Sequence, residues 1–81
     1  MSVKKKLDLP IGDVIQDLRE EKSISRMQLG KLIFASYQTV RAIEVGEQYP
    51  NLDILFAIAI VLNTTVWQIV KKAEERISPN A

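Results

Sequence analysis

The side chains able to do directed chemistry gather between Ser25 and Glu44, in the stretch SRMQLGKLIFASYQTVRAIE. Tyr37, Gln38 and Arg41 stand at i, i+1 and i+4, with Ala42 beside them. A helix over about 36–45 that turns Val40 and Ile43 inward leaves these four pointing away from the core. A phenol, a carboxamide and a guanidinium on one outward face can donate to and accept from flat polar edges or anions. They offer no nucleophile and no proton relay poised near neutral pH. Ser25, Arg26, Ser36, Thr39 and Asn51 sit at or just inside helix starts, where unpaired backbone N–H groups favour anions.

Much other chemistry is excluded. The chain has no cysteine and no histidine, so disulfides, Cys/His metal sites and thiol or imidazole catalysis are out. No glycine loop cradles a phosphate and no carboxylates cluster with metal spacing. Asp13 and Asp17, at i and i+4, read as a solvated helix face. The expectation is a protein that is not an enzyme and holds no cofactor or metal.

The elements that must position the polar face belong to one small domain of 81 residues. Pro10 suits the first turn of a helix over about 10–22, whose stripe is Ile11, Val14, Ile15 and Leu18. Ser25-x-x-Gln28 is a capping box opening a second helix over about 26–33, with Leu29 and Ile33 buried. Gly30 within it implies close approach of another helix's backbone. Phe34-Ala35 is the turn, Ser36 the next N-cap, and Gly46 the expected left-handed residue past the third helix. Asn51 caps a helix over about 52–62 with Leu52, Leu55, Phe56, Ala59 and Leu62 inward. Thr65-x-x-Gln68 opens a fifth over about 66–76 with Val66, Ile69 and Val70 inward. No alternation suggests a strand, so the class is all-α, five short helices over 10–76, with a basic arm at 1–9 and a frayed end at 77–81.

Net charge is only +1, from 11 basic and 10 acidic residues, so position matters more than the total. Lys4, Lys5 and Lys6 lie in the arm; Arg19, Lys22, Arg26, Lys31 and Arg41 follow in the first half. No apolar run approaches the roughly 20 residues of a membrane span, and no signal-peptide core is present. Together with the absence of disulfides this fits a cytoplasmic protein.

The ordered set of residues resembles the lambda-repressor-like (Cro-type, XRE) helix-turn-helix family. Ile11-Gly12, Ile15 and Leu18-Arg19 are similar to its first helix, and Ile24-Ser25 with Leu29 to its second. Ser36, Thr39, Val40, Ile43, Glu44 and Gly46 are similar to its recognition helix and exit. Pro50, Leu52, Leu55, Ala59, Leu62, Val66 and Ile69 continue at the family's spacing. The resemblance covers roughly 11–70 and implies a third helix that enters the major groove of double-stranded DNA. Tyr37, Gln38, Arg41 and Ala42 are then the base-facing positions. Gln suits adenine, Arg guanine, Tyr a hydrogen bond or thymine methyl, and Ala apolar contact alone. Ser25, Arg26, Ser36, Thr39 and Asn51, with Lys4, Lys5 and Lys6 of the arm, become phosphate candidates. Arg19 and Glu44 match a structural ion pair joining helix 1 to the end of the recognition helix.

Three departures stand out. Phe34 replaces the glycine usual at the turn, so either the turn is remodelled or the ring packs somewhere useful. Gly30 replaces an alanine, and Tyr37 is bulkier than the usual residue. The chain is also 47% hydrophobic, with Ile54, Ala57, Ile60, Val61 and Trp67 where relatives are commonly polar. That excess fits either a wider core or a homodimer through helices 4 and 5.

Two functions follow. The first is a sequence-specific transcriptional regulator, of repressor type, binding a palindromic operator as a homodimer. The second is an antitoxin-like or protein-interaction module using the same fold to bind a partner protein.

Overall fold

The computed structural model describes residues 9–77; the lysines of the arm and the last four residues lie outside this range. Five helices follow one another: α1 (Ile11–Glu21), α2 (Arg26–Leu32), α3 (Tyr37–Glu44), α4 (Leu52–Val61) and α5 (Val66–Ile77). No strand occurs among the described residues. Each helix lies within one or two residues of its expected span, and Pro10 sits just outside α1 as its N-cap.

The starts are fixed as the capping chemistry requires. Ser25 and Gln28 form the reciprocal capping box, Ser36 accepts from the Thr39 N–H, and Asn51 accepts from the Ile54 N–H. Thr65 accepts from the Gln68 N–H at 3.1 Å.

The ends share one solution. After α1, α2, α3 and α4 the chain turns through a single residue of positive φ: Ser23, Phe34, Gly46 and Asn63. At each, the following N–H reaches back to a carbonyl five residues earlier: Ile24 to Arg19, Ala35 to Gly30, Glu47 to Ala42, Thr64 to Ala59. These are Schellman ends, which satisfy carbonyls that the helix leaves open. Only one of the four uses glycine. The turn at Phe34 is therefore not remodelled: it keeps the left-handed geometry, φ 59°, with a phenylalanine in it.

Val14, Ile15, Leu29, Val40, Ile43, Ile58, Leu62 and Ile69 are almost wholly buried and form the centre of the core. Leu18, expected beside them, is half-buried and packs on the core's edge, as do Val66 and Val70. Ala73 of α5 is also buried, and α5 packs against α1.

On α4 the expected inner face needs correction. Leu52 and Phe56 are 70% and 59% exposed, while Ile58 is buried with Leu55, Ala59 and Leu62. The helix reads LDILFAIAIV, with Asp53 its only polar residue, so periodicity cannot choose a face. Packing against α2 and α5 chooses it instead.

Two glycines are needed for close backbone contact. A Cβ on Gly12 would lie 2.1 Å from the Ile43 carbonyl oxygen and 2.7 Å from that of Glu44, so α1 rests directly on the end of α3. On Gly30 it would lie 2.9 Å from the Ala35 oxygen. The close approach expected there is met by the entry to α3 rather than by a helix body.

Candidate nucleic-acid interface

Helix α3 is short, so its orientation is set by what grips its ends. At its end the Glu44 side chain is fully enclosed, and it is bound by two arginines. Arg19 of α1 donates through Nε at 2.6 Å and Nη2 at 2.9 Å, a side-on bidentate pair, and through Nη1 to the Ile24 carbonyl at 2.7 Å. Arg26, the first residue of α2, donates through Nε to Glu44 Oε1 at 2.8 Å. One carboxylate thus ties α1 and α2 to the end of α3. The Arg19–Glu44 link matches the expectation. The second arginine was not anticipated, although a carboxylate offers about four acceptor sites and a bidentate partner leaves some unused.

Burying such a group is costly unless every donor and acceptor is met. Among the described residues no buried side-chain nitrogen or oxygen lacks a partner. The Arg26 guanidinium is held charged even above its ordinary range, chiefly by the bond to Glu44 and secondarily by the neighbouring Tyr37 phenol.

At the start of α3, Ser36 Oγ accepts from the Thr39 N–H at 3.1 Å and stands 3.1 Å from the Thr39 hydroxyl. Both candidate phosphate-binding hydroxyls are therefore engaged in the cap itself. Ser25 and Asn51 likewise serve as caps through their side-chain oxygens. Tyr37 and Gln38 are exposed, and Arg41 and Ala42 are half-exposed beside them. Of the expected base-facing four, Gln38, Arg41 and Ala42 lie on the outer side of α3, away from the buried Val40 and Ile43, and Tyr37 is exposed at its edge, in line with Glu44. Arg41 Nη1 lies 3.4 Å from Glu47 Oε1 in the following loop, an exposed contact that sequence reading missed.

Other placements frame this face. Asp17, read as part of a solvated face, pairs with Arg76 and links α1 to the end of α5. The Tyr49 hydroxyl donates to the Leu9 carbonyl at 3.1 Å, tying the first described residue to the α3–α4 loop. Lys4, Lys5 and Lys6 lie outside the described residues.

The expected dimer residues divide. Ile60 and Trp67 are exposed, 61% and 62%, whereas Ile54, Ala57 and Val61 are half-buried against the core. Ile54, Ala57 and Val61 therefore widen the core, and Ile60 and Trp67 are left on the surface. The exposed stripe on α4 is Leu52, Phe56 and Ile60, at i, i+4 and i+8. No described helix is long and apolar enough to cross a membrane by itself; α4 and α5 meet at 97°.

Known proteins bear out this architecture. The structure of the clp gene regulator ClgR from C. glutamicum superposes with a TM-score of 0.82, covering 93% of this chain and 97% of that one, at 16% identity. FeII HppE in complex with substrate matches with a TM-score of 0.69 at 28% identity, over 76% of this chain but only 35% of that one. CoII HppE in complex with Tris buffer matches likewise, with a TM-score of 0.70 at 29% identity over 80% of this chain and 37% of that one. No curated protein matches in sequence. The helix-turn-helix family model matches residues 15–66, from the middle of α1 to the start of α5. That span holds the capped α2–α3 pair and the Glu44 clamp, and the chain belongs to the lambda-repressor-like (XRE) helix-turn-helix family of DNA-binding transcriptional regulators.

Proposed function

We propose that the chain is a sequence-specific regulator that reads a two-fold symmetric DNA site as a homodimer and acts as a repressor in the cytoplasm. The observation that carries this reading is the outer side of α3. Tyr37, Gln38 and Arg41 present hydrogen-bonding groups there, on a helix whose tilt is fixed by Arg19, Glu44 and Arg26. Gln38 suits the two-point recognition of adenine and Arg41 that of guanine. Phosphates would meet Arg26, the N–H groups at the starts of α2 and α3, the Asn51 amide N–H2 and the lysine arm. Ser36 and Thr39 would contribute less as side chains, since each already serves the cap. Repression needs no further domain: a dimer seated over a promoter blocks it.

Selecting bound sequences from random duplex DNA tests the reading, a palindrome with half-sites about 34 Å apart being the expected result. Affinity for the selected duplex should fall steeply with salt. A flat salt series would remove phosphate contact as the driver. Gln38→Ala should relax preference at one base pair and cost about 1–3 kcal/mol there.

A second reading is favoured by the near-neutral charge and by the exposed Leu52, Phe56, Ile60 and Trp67. On it, the same fold docks a partner protein, as in an antitoxin. The salt series separates the two readings.

A further inference from the structure

The start of α1 and the loop after α3 enclose a half-open cleft of about 340 Å³. Leu9, Pro10, Gly12 and Asp13 form one wall, and residues 43–49 form the other. Its charged lining residues are all acids, Asp13, Glu44 and Glu47, and among the described residues no lysine or arginine lines it. Glu44 is already answered by Arg19 and Arg26. Glu47 has an exposed contact with Arg41 at 3.4 Å, which leaves most of a carboxylate's acceptor sites open. Asp13 forms no ion pair with a described residue. The carboxyl end of α3 adds partial negative charge, whereas the positive pole of α1 is offset by Asp13 in its first turn. The cleft is complementary to a cation.

The chain itself brings cations to the rim. Leu9 lines the cleft, and the Tyr49 hydroxyl donates to its carbonyl at 3.1 Å, which fixes where the preceding segment joins the body. Lys4, Lys5 and Lys6 belong to that segment, outside the described residues. Lys6 stands three positions before Leu9 and Lys4 five, so their Cα atoms are within about 10 and 17 Å of it. A tether this short gives the lysines an effective concentration on the order of millimolar at the cleft, which a free amine would have to match in solution.

We propose that the cleft between α1 and the α3–α4 loop is the docking site of the chain's own lysine arm, with Asp13 and Glu47 receiving the ammonium groups when no DNA is bound. The same lysines then have two alternative anionic partners, the two carboxylates or the phosphates of a duplex. A duplex carries one negative charge per roughly 1.7 Å of its axis, so it draws the arm out of the cleft. Docking therefore competes with DNA, a consequence that rests on the DNA-binding reading above; the docking itself does not depend on it.

The test treats the full chain, at low concentration and without DNA, with a carbodiimide, which joins a lysine amine to a carboxylate in contact with it. Peptide mass mapping then locates the crosslinks. Lys4–Lys6 should couple to Asp13 and to Glu47, and adding a duplex should suppress both products. Glu47 is the discriminating partner, being remote in sequence from the arm. Crosslinks spread evenly over Glu20, Glu21, Asp53 and Glu74 would overturn the proposal, as would crosslinks formed only between isotopically labelled and unlabelled copies. Affinity for a random-sequence duplex supplies the second measurement. Asp13→Asn should tighten binding by about two- to fivefold at low salt. With Lys4, Lys5 and Lys6 all replaced by glutamine, the same change should have no effect. An equal gain in both backgrounds would assign it to net charge and sink the competition with DNA. A chain that crosslinks as expected yet binds no duplex would support the docking and overturn the DNA reading alone.

Discussion

Phe34 is the residue whose placement its own environment does least to explain. It occupies a left-handed position, φ 59°, and its side chain is 96% exposed. Neither packing nor a remodelled turn compensates the steric cost, which for a residue with a Cβ is about 1–2 kcal/mol. Glycine would remove that cost and regain part of it as unfolded-state freedom. Phe34→Gly should therefore stabilise the fold by about 1 kcal/mol, raising the midpoint of thermal unfolding by roughly 4–8 °C. An unchanged or lower midpoint would show that the ring makes a stabilising contact. Glu47 makes a second expectation at this scale. Its carboxylate lies 3.4 Å from Arg41 on an exposed surface, where such pairs contribute about 0.2–1 kcal/mol. Glu47→Gln should release Arg41 and tighten DNA binding up to about fivefold at low salt, the gain vanishing at high salt. Glu74→Gln on α5, the same change of charge, is the control; an equal gain there would assign the effect to net charge alone.

Among the elements, the contact between α1 and the end of α3 matters most for the interface. A methyl group on Gly12 would meet the Ile43 and Glu44 carbonyl oxygens at 2.1 and 2.7 Å. Those atoms are backbone and cannot swing aside, so one helix must move. Gly12→Ala should destabilise by about 3 kcal/mol in urea unfolding, and it should lower DNA affinity in the fraction that stays folded, because α3 is what shifts. A loss below about 0.5 kcal/mol would mean that the two helices are free to separate. The helices themselves were legible from the sequence, because caps at Ser25, Ser36, Asn51 and Thr65 and the stripe on α1 are local signals. Leu29, Val40 and Ile43 were legible as core for the same reason. The inner face of α4 was not. Nine of its ten residues are apolar, so the choice between Phe56 and Ile58 depends on which neighbours dock. Likewise the bond from Arg26 to Glu44 spans eighteen positions and has no local signature, while the link from Arg19 was visible through the family's pattern.

At the scale of the whole molecule, the proposed homodimer needs a surface on which two copies would meet. Leu52, Phe56, Ile60 and Trp67 each expose more than half of a large apolar side chain. At about 100 Å² apiece they offer roughly 400 Å², the size of an ordinary largest surface patch. A standard interface takes about 800 Å² from each partner. A dimer built on this patch alone would therefore be weak, and DNA would supply the rest by holding two copies on adjacent half-sites at high effective concentration. Because a two-fold contact sets each residue near its own surface on the partner, one added charge is counted twice. Phe56→Glu or Ile60→Glu should leave a monomer at every concentration in sedimentation, where the wild type shifts towards dimer as it is concentrated. Neither side chain is in the core, so thermal stability at low concentration should change by less than about 0.5 kcal/mol. On DNA, the variants should keep their affinity for a single half-site and lose cooperativity across the palindrome. If sedimentation of the variants matches the wild type, the α4 stripe is not the dimer contact, and docking of a partner protein there becomes the stronger reading.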